Sequence, residues 1–455
     1  MSLMGLYERL PLPLQNVAIS LYAMKLKWQR YGREFKRYKE WLYKTESLPL
    51  QELKAIQEQE FIKFYRYSLS IGFYRSHYKY IDPNSIRGLD DLAKLPPISK
   101  NQFRTNLDNC KALPSSSDIH VHTGGTTGTP MEVVFQREDF QKRQAMLTYY
   151  REKWGFYNGM RRATFSGRTM VRDSDRIFWR HNYSLNQRLY STFHLKDQYL
   201  RGYVDDLVRF RPEMIDGFPS AINYVAQFMK DHKVRLSPAP KVVFTTSETL
   251  YDDQRETIEQ AFGCKVANQY ASAEGAPFVV ECPRGSLHYD LRSGIIEVEK
   301  GGTILVTSFT THGTPLIRYE IGDRIEFFET EKQCGCGNNN PLVRSIQGRN
   351  QDYLVSRDRG LVAVGLVDIF KKTPAVFRMS QIVQRKLDTV ELYLVAENET
   401  SARGYLDVLE KEIKKRMGES ITVEFKFVSE IEQEKGGKYR FIKNLMSPDI
   451  IKQYV

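Results

Sequence analysis

The chain has 455 residues, too long for one ordinary core, and its 41% hydrophobic and 27% charged residues are those of a globular protein with several domains. No apolar run is long enough to span a bilayer and the N-terminus lacks the apolar region of a secretory signal, so a cytoplasmic protein is expected. The net charge of +12 suits an acidic partner, but no nucleic-acid-binding signature accompanies it, and no nucleic-acid partner is expected.

Residues 1–100 read mostly as helix, with breaks near Pro11, Pro13 and Pro49. An early basic run, Lys25, Lys27, Arg30, Arg33, Lys36, Arg37 and Lys39, is interleaved with Leu21, Met24, Trp28, Tyr31 and Phe35 at helical steps of three and four. Two readings fit it: a solvated helix packed on the domain, or a basic amphipathic helix in peripheral contact with a membrane surface. The aromatic stretch from Phe61 to Tyr80 is expected to be core. Ser99 is positioned to cap a helix that begins at Lys100.

The segment Val121 to Pro130 is unlike its surroundings, because seven of its ten residues are Gly or Thr. Such a run buries little apolar surface and reads as a loop. Glycines let a backbone approach a ligand closely, and successive N–H groups can cradle an anion such as a phosphate. The pattern is neither a Walker loop nor a dinucleotide fingerprint. A plain surface turn is the alternative.

Downstream, residues 131–135 read as a strand and 137–153 as a helix. Strand, polar turn and helix then recur, at Ala163 to Gly167, Arg211 to Ser220, Lys241 to Leu250 with a helix over 252–262, and Lys265 to Tyr270. Repeated units of this kind predict a parallel α/β sheet with ligand groups at the carboxyl ends of its strands. From Gly294 to Phe328 the pattern changes to short alternating strands. The expected architecture is a large α/β domain over 1–348, with 1–100 mostly helical, 101–280 an α/β core and 281–348 a β-rich subdomain. A small α+β domain over 349–455 follows, with strands at 390–395 and 421–428 and a charged helix over 401–417.

Cys282, His288, Cys334 and Cys336 are spaced C-x5-H and then C-G-C. Four ligands of these types from two turns suit a closed tetrahedral zinc site that pins the β-rich segment. Free or redox-active thiols are the alternative. Cys110 and Cys264 read as packing residues.

Seven stretches, VHTGGTTGTPMEVVF, RPEMIDGFPSAI, TTSETL, NQYASAEGAP, TPLIRYEIGDR, SIQGRNQD and GGKYRFIKN, occur in one order between Val121 and Asn444. Together they resemble the adenylate-forming (acyl-CoA ligase) superfamily, and within it the phenylacetate–CoA ligase-like branch that includes CapK-type proteins of polysaccharide loci. The resemblance implies a mobile C-terminal domain and roles for matching residues. Thr123, Gly124, Gly125, Thr126, Thr127, Gly128 and Thr129 would clamp the β- and γ-phosphates of ATP. Ser247, Glu248 and Thr249 would line the adenine pocket, Tyr270 would stack on the base, and Ala271 and Ser272 after it would also contact the nucleotide. Glu274 would help hold Mg2+, Asp323 would accept from the ribose hydroxyls, and Arg349 would lie beside that ribose. Asp352 would sit at or near the hinge, and Lys438 would contact the carboxylate and α-phosphate oxygens.

The reaction so implied joins a carboxylic or amino acid to AMP and then passes the acyl group on. CoA is the commonest acceptor in this branch, and a sugar amine or hydroxyl is the alternative. Residues 353–360 depart from the family's usual continuation, which obscures the hinge and the CoA path. The acyl pocket is not legible; Asp216, Phe218, His181, Tyr183, His122 and Ala271 are candidates for its wall.

Overall fold

The computed structural model describes residues 3–122, 132–168, 170–172, 174–299, 302–330, 332–349, 354–358, 360–362, 369–370, 373, 376–432 and 440–451. The first part is helical, as its spacing predicts: α1 (Leu3–Arg9), α2 (Leu12–Arg30), α3 (Arg33–Lys44), α4 (Leu50–Ser68) and α5 (Gly72–His77). The basic run is divided between two helices, because the chain turns at Tyr31 and Gly32. Phe35 on α3 is buried, whereas Leu21, Met24 and Trp28 on α2 face solvent. The aromatic stretch enters the core at Phe61, Phe64, Tyr65, Tyr74 and Tyr78, which pack together, but Tyr80 at its end is 89% exposed. Ser99 opens α6 (Lys100–Thr105) through a reciprocal capping box with Gln102, and α7 (Leu107–Cys110) follows.

β1 (Ile119–His122) and β2 (Glu132–Phe135) form an antiparallel hairpin that leads into α8 (Arg137–Lys153). The alternating units come next. They are β3 (Arg162–Ser166), β4 (Trp179–Asn182), β5 (Gln187–Ser191), α9 (Asp197–Phe210), β6 (Met214–Gly217), α10 (Pro219–Asp231), β7 (Val242–Thr245), α11 (Asp252–Phe262) and β8 (Lys265–Tyr270). Then strands dominate: β9 (Val279–Glu281), β10 (Leu287–Tyr289), β11 (Gly294–Val298), β12 (Thr303–Ser308), β13 (Leu316–Phe327) and β14 (Leu342–Arg349).

Twelve of these strands make one sheet, ordered β11-β12-β13-β14-β10-β9-β8-β7-β6-β3-β5-β4. The run β5-β3-β6-β7-β8 is parallel, and β6 and β7 are buried along their whole length, as parallel strands covered on both faces must be. The β-rich segment is the antiparallel half of the same sheet, joined where β9 pairs with β8. One carboxylate pins that join. Glu281 Oε2 accepts from Asn268 N at 2.7 Å and from Arg255 Nη2 at 2.8 Å.

The C-terminal part has its own core. A hairpin of β15 (Leu354–Ser356) and β16 (Gly360–Val362) precedes β17 (Phe377–Lys386), β18 (Thr389–Ala396), α12 (Glu399–Arg403), α13 (Leu406–Met417), β19 (Thr422–Phe427), β20 (Ile442–Asn444) and α14 (Pro448–Ile451). Four strands order as β19-β18-β17-β20, with Leu392 and Leu394 packed on Leu409 and Ile413 of α13. The single helix expected over 401–417 is broken at Gly404 and Tyr405, where α12 ends. This small unit meets the large one through Arg378, paired with Asp197 at 2.7 Å, and Lys196, paired with Glu430 at 2.8 Å. The rings of Tyr251 and Phe441 also meet, 5.7 Å apart.

Gly217, at the end of β6, has φ +150° and lies so close to β3 that a Cβ would come within 2.0 Å of the Phe165 carbonyl oxygen. Gly217→Ala is therefore expected to lower the thermal midpoint, an overpacking cost of about 1–3 kcal/mol. Gly202→Ala, in mid-helix with nothing within 4 Å, should raise it, a stabilisation of about 0.5–1 kcal/mol. Thermal unfolding of the two variants beside the parent checks both signs.

Candidate active site

The register of the parallel strands sets Phe165 beside Gly217, Gly217 beside Thr245 and Thr245 beside Asn268. The segments that follow β6, β7 and β8 therefore emerge side by side at one edge. Thr246 N donates to Gly217 O at 3.1 Å. Ser247 takes the left-handed conformation, φ 70°, which is uncommon for a residue with a Cβ. Glu248 follows it and accepts from Ser220 N at 3.2 Å, at the N-terminal end of α10, where a carboxylate is favoured. Thr249 is half-buried beside them.

After β8 the chain folds tightly. Ser272 Oγ accepts from Gly275 N at 3.2 Å and Ala276 N at 3.0 Å, and the turn carries the Glu274 carboxylate into the interior. Half-buried Ala271 packs against the cluster of Phe35, Leu42, Met146, Tyr149 and Phe278. Tyr270 reaches across the sheet, its hydroxyl donating to Asp323 Oδ2 at 2.8 Å. Asp323 is in turn the direct register partner of Arg349. Tyr270, Asp323 and Arg349, far apart in sequence, thus meet on strands β8, β13 and β14.

The residues Thr123 to Thr129, Asp352 and Lys438 lie outside the described residues, and so does the Arg349 side chain. The elements flanking them are defined. Strands β1 and β2 bracket the Gly/Thr loop, and their hairpin is seated against the Glu274 turn. A Cβ on Gly275 would lie 2.4 Å from Thr311 Cγ2 and 3.1 Å from the Phe135 ring, so only glycine permits that approach. Thr314 Oγ1 accepts from Val134 N at 2.8 Å on the same hairpin. From the C-terminal unit, Phe441 touches Tyr251, two residues beyond Thr249. Lys438 is three residues before Phe441, a span of about 10 Å when extended.

Sequence reasoning passed over the group that ties these parts together. Arg143 of α8 is buried, and its Nη1 donates to Gly275 O at 2.8 Å, Ala276 O at 3.1 Å and Thr310 Oγ1 at 3.1 Å. Burial lowers its guanidinium to about 10, still charged at neutral pH. One turn earlier Asp139, also buried, accepts from His312 N at 2.6 Å and His312 Nδ1 at 2.9 Å. Two charges four residues apart on one face of a predicted helix, in line with Met146 and Tyr150, were the available signal.

The acyl-wall candidates separate. Asp216 is the centre of a buried ionic cluster. It accepts from both Nε (2.9 Å) and Nη2 of Arg162 and from Thr164 Oγ1 at 2.5 Å, with Arg151 Nη2 at 3.5 Å. Burial would raise its carboxyl, but Arg162 and Arg151 outweigh burial and hold it below the usual carboxylate value. Phe218 is buried beside it, at the start of α10. His181 and Tyr183 are not at this edge. They lie on and just after β4, five strands from β8 in the order of the sheet, beneath α2. The His122 side chain is outside the described residues.

A second cluster lies on the antiparallel half. Ligand atoms of Cys282, His288, Cys334 and Cys336 all fall within 4.8 Å of one another. Cys282 and Cys334 sulphurs are 3.7 Å apart, and Cys336 Sγ is 3.4 Å from His288 Nε2. Four bonds of about 2.0–2.3 Å at tetrahedral angles give separations of about 3.5–3.8 Å, whereas a disulfide needs about 2.05 Å. His288 Nδ1 faces Asn340 O at 3.2 Å, which directs Nε2 toward the sulphurs. Burial also keeps that imidazole below the ordinary histidine value, in the neutral form that binds metals. By contrast, burial pushes the Cys110 and Cys264 thiols up to about 12, as suits packing residues.

The chain is 34% identical to Protein CapK of Staphylococcus aureus over 96% of its own length and 98% of that protein's. It belongs to the CapK-type, phenylacetate–CoA ligase-like branch of the adenylate-forming enzymes. A family model described as the CapK C-terminal domain matches residues 354–445 of this CapK-type chain. A phenylacetate-coenzyme A ligase of Thermus thermophilus is 24% identical over 76% of the chain and 81% of its own. The crystal structure of a 2-hydroxyisobutyryl-CoA ligase in its postadenylation state superposes with a TM-score of 0.69 at 18% identity, over 90% of this chain and 92% of that one. The CapK-type chain is therefore an adenylate-forming ligase by class, with the α/β architecture of that fold.

The Asp216 cluster gives a pH-dependent test. A carboxyl held low in the folded state stabilises it above the unfolded value near 3.8, and that contribution is lost as pH falls through the folded value. Asp216→Asn is expected to cost about 3–5 kcal/mol at neutral pH, because it strands two guanidinium groups. The gap from the parent should narrow below about pH 4, and thermal unfolding across that range measures it.

Proposed function

We propose that this protein activates a carboxylic acid as its acyl-adenylate with ATP, and passes the acyl group to CoA or another thiol. The observation that carries the reading is the Tyr270–Asp323 hydrogen bond beside the register partner Arg349. It joins an aromatic face for adenine to a carboxylate for the ribose hydroxyls, at the strand edge where α/β folds bind ligands. Ser247, Glu248 and Thr249 border the base. The Gly/Thr loop, on a hairpin seated against the Glu274 turn, faces the β- and γ-phosphates. The buried Glu274 carboxylate suits a hard divalent cation, and Mg2+ held there supplies neutralisation of phosphate charge.

In the first half-reaction a carboxylate oxygen attacks the α-phosphorus, the bond to the bridging oxygen breaks, and pyrophosphate leaves. The protein's part is to orient both anions and offset charge in the transition state. Lys438 does so at the α-phosphate and carboxylate oxygens, and the Phe441–Tyr251 contact supports its approach to the same edge. In the second half-reaction the acceptor attacks the acyl carbon and AMP leaves, after the small unit turns on the segment near Asp352.

The Cys282, His288, Cys334, Cys336 cluster fits zinc, with no open position for substrate. Its role in this reading is to pin β9, β10 and the β13–β14 connection.

A second reading has a sugar amine or hydroxyl as acceptor, in polysaccharide synthesis. It is favoured by the outward apolar stripe of α2, since lipid-linked sugars lie at a bilayer.

Pyrophosphate release over a panel of carboxylic and amino acids tests the activity, and silence across the panel with ATP still bound would remove it. Lys438→Ala should slow adenylation by about 100-fold or more without moving the melting of the large unit. CoA consumption separates the readings, because acyl-AMP that persists beside CoA and discharges onto an amino sugar supports the second. Metal analysis should find about one zinc per chain, lost with a lower melting point in Cys334→Ser. Zinc-free protein purified without chelator would contradict the metal assignment.

A further inference from the structure

Helix α2 is turned inside out. Its buried face is polar: Gln15, Asn16 and Ser20, with Ala23. The reason lies in the strand beneath. β4 is the last strand of the large sheet, and an edge strand presents unpaired backbone groups. Asn16 Oδ1 accepts from His181 N at 2.9 Å, and Ser20 Oγ accepts from Tyr183 N at 2.9 Å. Gln15 Oε1 accepts from Arg180 Nε at 2.5 Å, and its amide donates to Leu10 O at 3.0 Å. The polar side chains thus face inward to satisfy the edge of the sheet.

The apolar side chains face out in consequence. Leu14, Val17, Leu21, Met24 and Trp28 recur at steps of three and four, so they line one face. They are 46–69% exposed, with Trp28 the most open. Leu6 of α1 and Tyr22 are exposed as well. Beyond the stripe, Met24, Lys27, Trp28, Tyr31 and Tyr183 line an open cleft of about 690 Å3. Aromatic rings beside a lysine are the composition found at the headgroup level of a bilayer.

Charge selects the occupant. Between Leu10 and Arg33 there is no acidic residue, and residues 3–44 carry nine Lys or Arg against three Glu, half of the chain's net charge of +12. Lys25 and Lys27 are exposed on α2, and the Arg137 guanidinium lies 3.9 Å from the centre of the Trp28 ring. A second copy of this chain docked symmetrically on the stripe would bring these cations toward their own counterparts. An anionic lipid surface meets both the apolar stripe and its basic surroundings. No described helix is long and apolar enough to cross a membrane, so the contact is one that lies on the surface.

We infer that α2 docks the protein on anionic phospholipid, with Leu14, Val17, Leu21, Met24 and Trp28 entering the headgroup boundary and Lys25 and Lys27 contacting phosphate. This inference does not depend on the acid or the acceptor, because it rests on a face that contains no residue of the adenylate site.

The test is sedimentation of the full chain with phosphatidylcholine vesicles, with and without phosphatidylglycerol. Binding is expected only with the anionic lipid. It should fall about tenfold or more in a Leu21→Gln, Met24→Gln, Trp28→Gln variant and about tenfold in Lys25→Gln, Lys27→Gln. Both variants should stay folded and melt close to the parent, since the altered side chains are mostly exposed and lose only the Arg137–Trp28 stack and the Lys27–Ser184 hydrogen bond. Brominated lipid should quench the parent's fluorescence, and Trp28→Phe should remove that quench. Parent protein that stays in solution with anionic vesicles, or an apolar-face variant that sediments like the parent, would overturn the inference. A solution dimer that the same variant dissociates would instead assign the face to a second copy.

Discussion

A buried guanidinium with backbone carbonyls as partners holds the candidate site together. Arg143 stands on α8, the helix that follows the Gly/Thr loop, and grips Gly275 and Ala276, which follow Glu274. Leaving a charge of this kind in the interior is costly unless hydrogen bonds compensate it. Two carbonyl oxygens and one hydroxyl do so. Helix α8 and the acidic turn are thereby fixed relative to each other by one side chain. Asp139, one turn away, does the same for the segment around His312.

The continuous sheet sets the second constraint. Had the parallel and antiparallel halves been separate sheets, Tyr270 and Asp323 would have had no defined relation. β8 and β13 stand four strands apart in that one sheet, through β9, β10 and β14, and Tyr270 and Asp323 still meet in one hydrogen bond, so the sheet curls between them. Glu281 secures the join on one side. The cysteine and histidine cluster lies on the same stretch of the sheet, where a metal held by all four residues would have a structural rather than chemical part. At the far edge β4 must be covered, and α2 covers it with its polar face.

How much of this was legible depends on the range of the forces involved. The helices over 137–153 and 252–262 and the strand over 265–270 have the bounds that local periodicity gives them, since local pattern and burial agree there. Ser99 capping α6 is equally local. The cluster of Cys282, His288, Cys334 and Cys336 was legible because ligand chemistry leaves few other uses for such spacing. Arg143 and Asp139 were hidden because their partners are more than 130 residues away in sequence. The orientation of α2 was hidden for the same reason. Its periodicity announces an apolar face, but only the edge strand decides that the polar face is the one to be buried. The break at Gly404 was local and still missed, because the charged periodicity runs on through it. The acyl wall remained illegible since its candidates, Asp216 and His181 among them, are drawn into ion pairs and edge contacts far apart.

The central claim is that ATP binds where the segments after β7 and β8 meet the β1–β2 hairpin and Asp323. Amide hydrogen exchange with saturating ATP and Mg2+ addresses it without knowledge of the acid. Slower exchange is expected in peptides covering 119–135, 246–251 and 270–276, and across Asp323, with β4 and α2 unchanged. Protection confined to other parts of the sheet, or none in these peptides, would contradict the account.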